Sequence, residues 1–358
     1  MRNNRGSSLI FVVSLAIILN IVFITVYMTV SKTQKATGSK RLKTSSVTIA
    51  EAGKEKLYAQ LIDKSYTPTA NQRVTVYTDF ALGAGTFTVS CSANVTLDTV
   101  WIESWGKDSQ SETGIAIVAA LSPRFVFNGV PVRGAITART NVQVLGNITV
   151  DGRDHDTNGV LTGDPGLYGV STCDALVQSG NAHIGGYGQE PLRSSDTTGK
   201  LGTIAEQEVP VNAALASPEA FLGLAPGALD EYKSTTLSTP FHGIRYITGN
   251  VGPVDFGDEK KGEYSSGILI VHNYFKTAEM KLNQGKFIGL IIIDKMDNIN
   301  GVANILGSVV TLGETEVNTF GSGGATINYS SYVMNNLGKY CENIKNRVTE
   351  VSWKELKR

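Results

Sequence analysis

The sequence is poor in the residues that most active-site chemistry needs. Only three cysteines occur, Cys91, Cys173 and Cys341, odd in number and widely spaced. No C-x-x-C or similar metal-ligand spacing exists, which excludes zinc ribbons and a multi-bridge disulfide framework. An oxidising compartment would allow one disulfide, and spacing does not choose the pair. The four histidines, His155, His183, His242 and His272, are scattered. H-E-x-x-H, G-x-S-x-G and a Walker loop are all missing. Charge is low as well, at 18% of residues, with 32 basic against 32 acidic side chains and a net charge of zero. Apart from one cluster after the first apolar run, this leaves no basic field of the kind that binds nucleic acid.

What is present begins at the N-terminus. Leu9–Val30 runs without a single charge. At 1.5 Å per residue a helix there is ~33 Å long, enough to cross a ~30 Å hydrocarbon core. A short basic stretch, Met1–Gly6, precedes it directly. A cut after Gly6 would remove the leader and keep the helix. A secretory signal is cut after its apolar run, and Val30–Lys35 holds no A-x-A-like site. The pattern predicts a membrane-inserted helix on a large exported domain. Flanking charge points the other way. Arg2 and Arg5 precede the span, while Lys32, Lys35, Lys40, Arg41 and Lys43 follow it. The positive-inside rule alone would put the C-terminal side in the cytoplasm.

Three stretches, Arg5–Ile10, the apolar run and Ile49–Gly53 on the same helix, resemble the type IV pilin and pseudopilin class. Among its members the PilX-type minor pilins are the most similar. The resemblance extends from the N-terminus to Ile62. It implies cleavage by a prepilin peptidase between Gly6 and Ser7, and assembly with other pilin or pseudopilin subunits through an inner-membrane platform. It also places the C-terminal domain outside the cytoplasm, on a single-pass bacterial inner-membrane helix or an extracellular filament. Most major pilins carry Glu at the fifth mature position, which here is Phe11. The departure fits a minor or tip subunit and a weakened electrostatic docking. Asn20, in mid-span, is expected to face protein rather than hydrocarbon.

The helix is expected to run over 7–64, past the membrane. Leu42, Ile49, Gly53, Leu57 and Leu61 keep a helical stripe, and Tyr66-Thr67-Pro68 ends it. Residues 65–125 read as a small β domain with strands near Arg73–Tyr77, Gly85–Ala93, Thr99–Gly106 and Gly114–Leu121. Thr86–Cys91 alternates cleanly, as a half-buried strand does.

From 126 to 330 the texture is glycine-rich. Gly267, Gly289, Gly307 and Gly324 each open a short β run, at nearly even spacing. That near-period suits coils of a β-solenoid, with Ile268, Leu290, Val309 and Ala325 in one internal stack. A β-sandwich with regular turns is the alternative. Gly267–Asn273, Gly285–Asp294, Ile305–Leu312 and Ile327–Ser330 also resemble carboxy-terminal domains of PilX-like bacterial membrane proteins. That looser likeness implies a β-solenoid-like structural domain. A polar insert, 151–243, interrupts the pattern and holds one short helix, with Ser217 as N-cap and Pro218 at its first position. Over 331–358, Leu337, Tyr340, Ile344, Val348 and Val351 recur at three- and four-residue spacing. They predict a C-terminal amphipathic helix that caps the solenoid.

The sharpest local motif is Asp154-His155-Asp156-Thr157-Asn158-Gly159, the D-x-D-x-N-G opening of a calcium loop. Asp154, Asp156 and Asn158 are the candidate ligands, with Asp151 and Asp164 nearby. Pro165 occupies the twelfth position, which excludes a full EF-hand. The same residues also make an ordinary polar turn. Asp255 and Asp258 are a carboxylate pair that could in principle serve a solenoid glycosidase, but isolated surface acids are common and nothing in the sequence places a second pair opposite them. Trp101, Trp105 and Trp353 could line a carbohydrate surface or simply pack. The expectation is therefore a mainly β, non-enzymatic minor pilin-like subunit that displays its β domain for filament assembly, priming or adhesion. Its rivals are a non-filamentous anchored β-solenoid and an anchored carbohydrate-active enzyme.

Overall fold

The computed structural model describes residues 5–109, 111–127, 129–196, 200–321 and 323–356, with the side chains of residues 5–11, 39 and 41–43 outside that description. The protein is mainly β with an N-terminal apolar helix. It divides into two compact units, one of residues 1–124 with 345–358, the other of residues 125–344.

The first unit is built on α1 (Arg5–Ile62). No proline interrupts that stretch, and the helix stops where Lys64 reverses the backbone at φ 61°. Four antiparallel strands follow: β1 (Val74–Leu82), β2 (Gly85–Ala93), β3 (Thr99–Lys107) and β4 (Glu112–Pro123). Alternation decides which side chains face the helix. Phe87, Val89 and Cys91 of β2, Val100 and Ile102 of β3, and Ile115 and Ile117 of β4 are buried with Ile49, Ala50, Leu57 and Leu61 of α1. Each large side chain so buried contributes about 1.5–3 kcal/mol. Helix and sheet meet closely at Gly106. A Cβ there would lie 2.1 Å from the Ser46 carbonyl oxygen and 2.4 Å from the Ala50 nitrogen.

The C-terminal residues correct the sequence reading. In place of a capping helix over 331–358 there is a short helix, Ser331–Asn335, a 3-10 turn, Leu337–Tyr340, and a strand, Asn346–Leu356. The strand pairs antiparallel with β4, from Asn346 opposite Pro123 to Leu356 opposite Gly114, and completes the five-stranded sheet. A bulge between Glu350 and Ser352 breaks the period of two. It falls at Val351, whose three-residue spacing from Val348 mimics a helix in sequence.

The second unit centres on a parallel ladder. In order across the sheet run Thr326–Asn328, Ala303–Thr311, Glu279–Ile293, Ser265–Val271 and His242–Ile247. Their Ile, Leu and Val side chains form a continuous core. Gly243, Gly267, Gly289 and Gly307 stand side by side in register. Each has positive φ, from 114° to 150°. A Cβ on Gly289 would lie 1.9 Å from the Gly267 carbonyl oxygen, and one on Gly307 1.9 Å from that of Gly289. Gly324 does not join this row. Its N–H bonds the Gly301 carbonyl at 3.1 Å, because Asn304 pairs with Thr326 and so sets Gly324 away from Gly307. The expected stack shifts accordingly. Ile268 neighbours Leu290, but Leu290 neighbours Ser308, and Val309 lies beside Ile291. Among the described residues no sheet closes on itself.

The insert holds the expected short helix, Pro218–Phe221, with the Ser217 hydroxyl accepting from the Ala220 N–H at 3.1 Å. It ends after one turn.

Candidate functional site

The helix α1 has two halves of opposite character. Val12–Gly38 is long and apolar enough to cross a membrane, and none of its most apolar window is buried within the chain. Its polar side chains are folded back onto the helix. The Asn20 amide donates to the Ala16 carbonyl at 2.9 Å. The hydroxyls of Thr25, Thr29 and Thr33 each donate to the carbonyl one turn back at 2.8 Å. Such bonds lower the cost of polar groups in hydrocarbon and leave the remaining amide capacity of Asn20 for a neighbouring helix. Gly6, Ser7 and Phe11 lie on the helix backbone, and their side chains fall outside the described residues.

The other half is locked to the sheet by charge as well as by packing. Lys54 is buried, not on a solvated face. Its ammonium contacts Glu51 at 2.5 Å, Glu55 at 3.1 Å and Glu350 of the C-terminal strand at 3.6 Å. Burial pulls its pKa down, but Glu51 and Glu55 outweigh that and hold it above the usual lysine range. The Trp353 indole N–H donates to Glu51 at 2.8 Å. The C-terminal strand is thereby tied to the helix that carries the apolar run.

The 151–165 segment is a hydrogen-bonded turn. Asp154 is 3% exposed and uses both oxygens, one accepting from the Ser331 N–H at 2.6 Å and the other from the Thr162 hydroxyl at 2.9 Å. Asp156 accepts from the backbone N–H groups of Val160 and Asn158 at 2.9 and 2.8 Å, and these bonds hold its pKa below the usual carboxylate value. Asp151 is held by Arg153, with Nη2 at 2.7 Å. Among the described residues no group of three or more His, Cys, Asp or Glu side chains is gathered for a metal. Asp154 and Asp156 each accept hydrogen bonds from backbone or hydroxyl donors of the protein.

The remaining candidates disperse. Asp255 accepts from the Gly257 N–H at 3.0 Å and from Gln284, while Asp258 caps the next turn through the Lys260 N–H at 3.1 Å. The three cysteines are free thiols. Burial pushes the Cys91 thiol up to about 12. One buried pair escaped the sequence reading. The His272 imidazole Nδ1 lies 2.5 Å from Asp294, whose other oxygen accepts from the backbone of Asn273 and Ala278 at 3.0 and 3.1 Å. The partners directly follow two adjacent strands of the ladder, 22 residues apart in sequence, and no local motif marks them. The pair fixes the turn 273–278.

No family model and no curated protein matches the sequence. Among solved structures, the competence-associated pilin ComZ from Thermus thermophilus is similar at 11% identity, over 87% of this chain and 97% of that one, with a TM-score of 0.28.

Proposed function

We propose that the protein is a minor pilin-like or pseudopilin-like structural subunit. The observation that carries this is one unbroken helix, apolar and exposed over Val12–Val30 yet packed into an antiparallel sheet over Ile49–Leu61. Such a helix can hold the chain in a bilayer and then pack in a filament core without unfolding the domain it carries. In this reading a prepilin peptidase cuts between Gly6 and Ser7, and the partners are other pilin or pseudopilin subunits on an inner-membrane platform. The sheet and ladder are then extracytoplasmic, against the flanking-charge rule. Phe11 restricts where the subunit can dock. The parallel glycine ladder supports a solenoid-like second unit, and it also favours the second reading, an anchored structural domain that stays in the bilayer. The role in either case is structural rather than catalytic.

N-terminal sequencing of the protein from its native membranes separates the two. Ser7 as the first residue supports the pilin-like reading. An intact Met1 in cells with an active prepilin peptidase leaves the resident anchor. Gly6→Ala is expected to block the cut and keep the subunit out of filaments.

A further inference from the structure

The face of the five-stranded sheet turned away from α1 has its own chemistry. Ile102, Ser104 and Gly106 of β3 point to the helix, so Trp101, Glu103 and Trp105 point outward. The two indoles stand two alternations apart on one strand, ~13 Å. Trp101 is 40% exposed. Trp105 is half-buried because its ring lies over Gly114, where a Cβ would sit 2.8 Å from three ring atoms at once. A residue with a side chain at 114 would push the ring up. Gly114 lets it lie flat, as a platform.

Between the indoles Glu103 is fixed by Arg73, with nitrogen and oxygen 2.8 Å apart. Opposite them on β2 stand Ser92 beside Trp101, Ser90 beside Glu103 and Thr88 beside Trp105. The floor is therefore low, hydroxyl-lined on the β2 side and apolar on the β4 side, where Val118 stands beside Trp101 and Ala116 beside Glu103, with Lys354 beyond Ala116; it carries two aromatic rings and the Arg73–Glu103 ion pair. Main-chain groups are not on offer, since β3 is paired along its length with β2 on one side and β4 on the other. A peptide that binds by adding a strand has no edge here. A ligand must use side-chain faces alone. Sugar rings do this, with C–H faces on indole and hydroxyls to carboxylate, guanidinium and serine.

We propose that this face binds an extended polysaccharide, a run of β-1,4-linked pyranoses long enough to touch both indoles. The site is independent of leader cleavage and of filament entry.

The test uses the full chain in detergent micelles, mixed with suspensions of chitin, cellulose or peptidoglycan sacculi, three sources of that linkage. Retention on at least one is expected, with indole fluorescence altered by the matching soluble hexasaccharide. Trp101→Ala should weaken retention roughly tenfold, the scale of one lost aromatic contact, with far-UV circular dichroism unchanged. Trp101→Thr, which keeps a strand former at that position, serves if the alanine variant misfolds. Tyr274→Ala removes a 91% exposed aromatic of the other unit and should change nothing. Absence of wild-type retention on all three glycans overturns the proposal. So does equal retention of the Trp101 variants, or an equal loss in Tyr274→Ala. Concentration-dependent self-association abolished by Trp101→Ala would instead mark the face as a contact between copies, and would overturn it too.

Discussion

Gly289 has no room for even one methyl group. Its Cβ would overlap the Gly267 carbonyl, and φ is 146°. Gly289→Ala should destabilise the second unit by about 3 kcal/mol or more, seen as a lower thermal midpoint and faster proteolysis within 125–344. Asp154 invites a milder test. Asp154→Ala strands the Ser331 N–H and should cost about 1–3 kcal/mol. Since Asp154 and Asp156 are already satisfied by donors of the protein, we expect the thermal midpoint to be unchanged by millimolar calcium. A calcium-dependent rise that vanishes in Asp154→Ala and Asp156→Ala would restore the cation site. Thiol alkylation should find Cys173 first, since Cys91 and Cys341 are buried and a pKa of about 12 keeps Cys91 protonated. The D-x-D-x-N-G spelling located a turn, but which donors its carboxylates meet depends on Ser331, far away in sequence.

At the scale of elements, period-two alternation was a sound guide. Thr86–Cys91 forms the middle of β2, with Phe87, Val89 and Cys91 inward. The helical stripe found Ile49, Leu57 and Leu61, though not the burial of Lys54, which rests on three carboxylates of which one, Glu350, is remote in sequence. Where a bulge disturbs the period, as at Val351, pattern reading fails. The glycine spacing located most ladder strands but not their register, because turn lengths differ between successive strands. For α1 the prediction concerns Asn20. Asn20→Leu should insert into membranes normally and reduce co-purification with partner subunits, as an amide contact between helices is worth ~1–2 kcal/mol in model peptides. Unchanged recovery would remove Asn20 from the interface.

At the scale of the molecule, the first unit is discontinuous in sequence. Its two segments meet where the Arg124 N–H donates to the Lys345 carbonyl at 2.9 Å. No composition signal announces this, since it follows from one long-range strand pairing. Joining residues 124 and 345 through a short glycine linker should leave a folded helix-and-sheet unit, checked by cooperative melting and a protected Cys91. Loss of cooperativity would show that the sheet needs residues 125–344. The same arrangement bears on the order of synthesis. The apolar helix α1 leaves the ribosome before its sheet is complete, because the strand that closes the sheet follows only after residues 125–344. Until then β4 has an open edge, and Lys54 lacks its Glu350 partner. With α1 inserted as proposed, a nascent chain holds a half-finished domain at the bilayer for as long as the second unit takes to emerge. A chaperone or protease that reads open β edges would have that interval in which to hold or remove it.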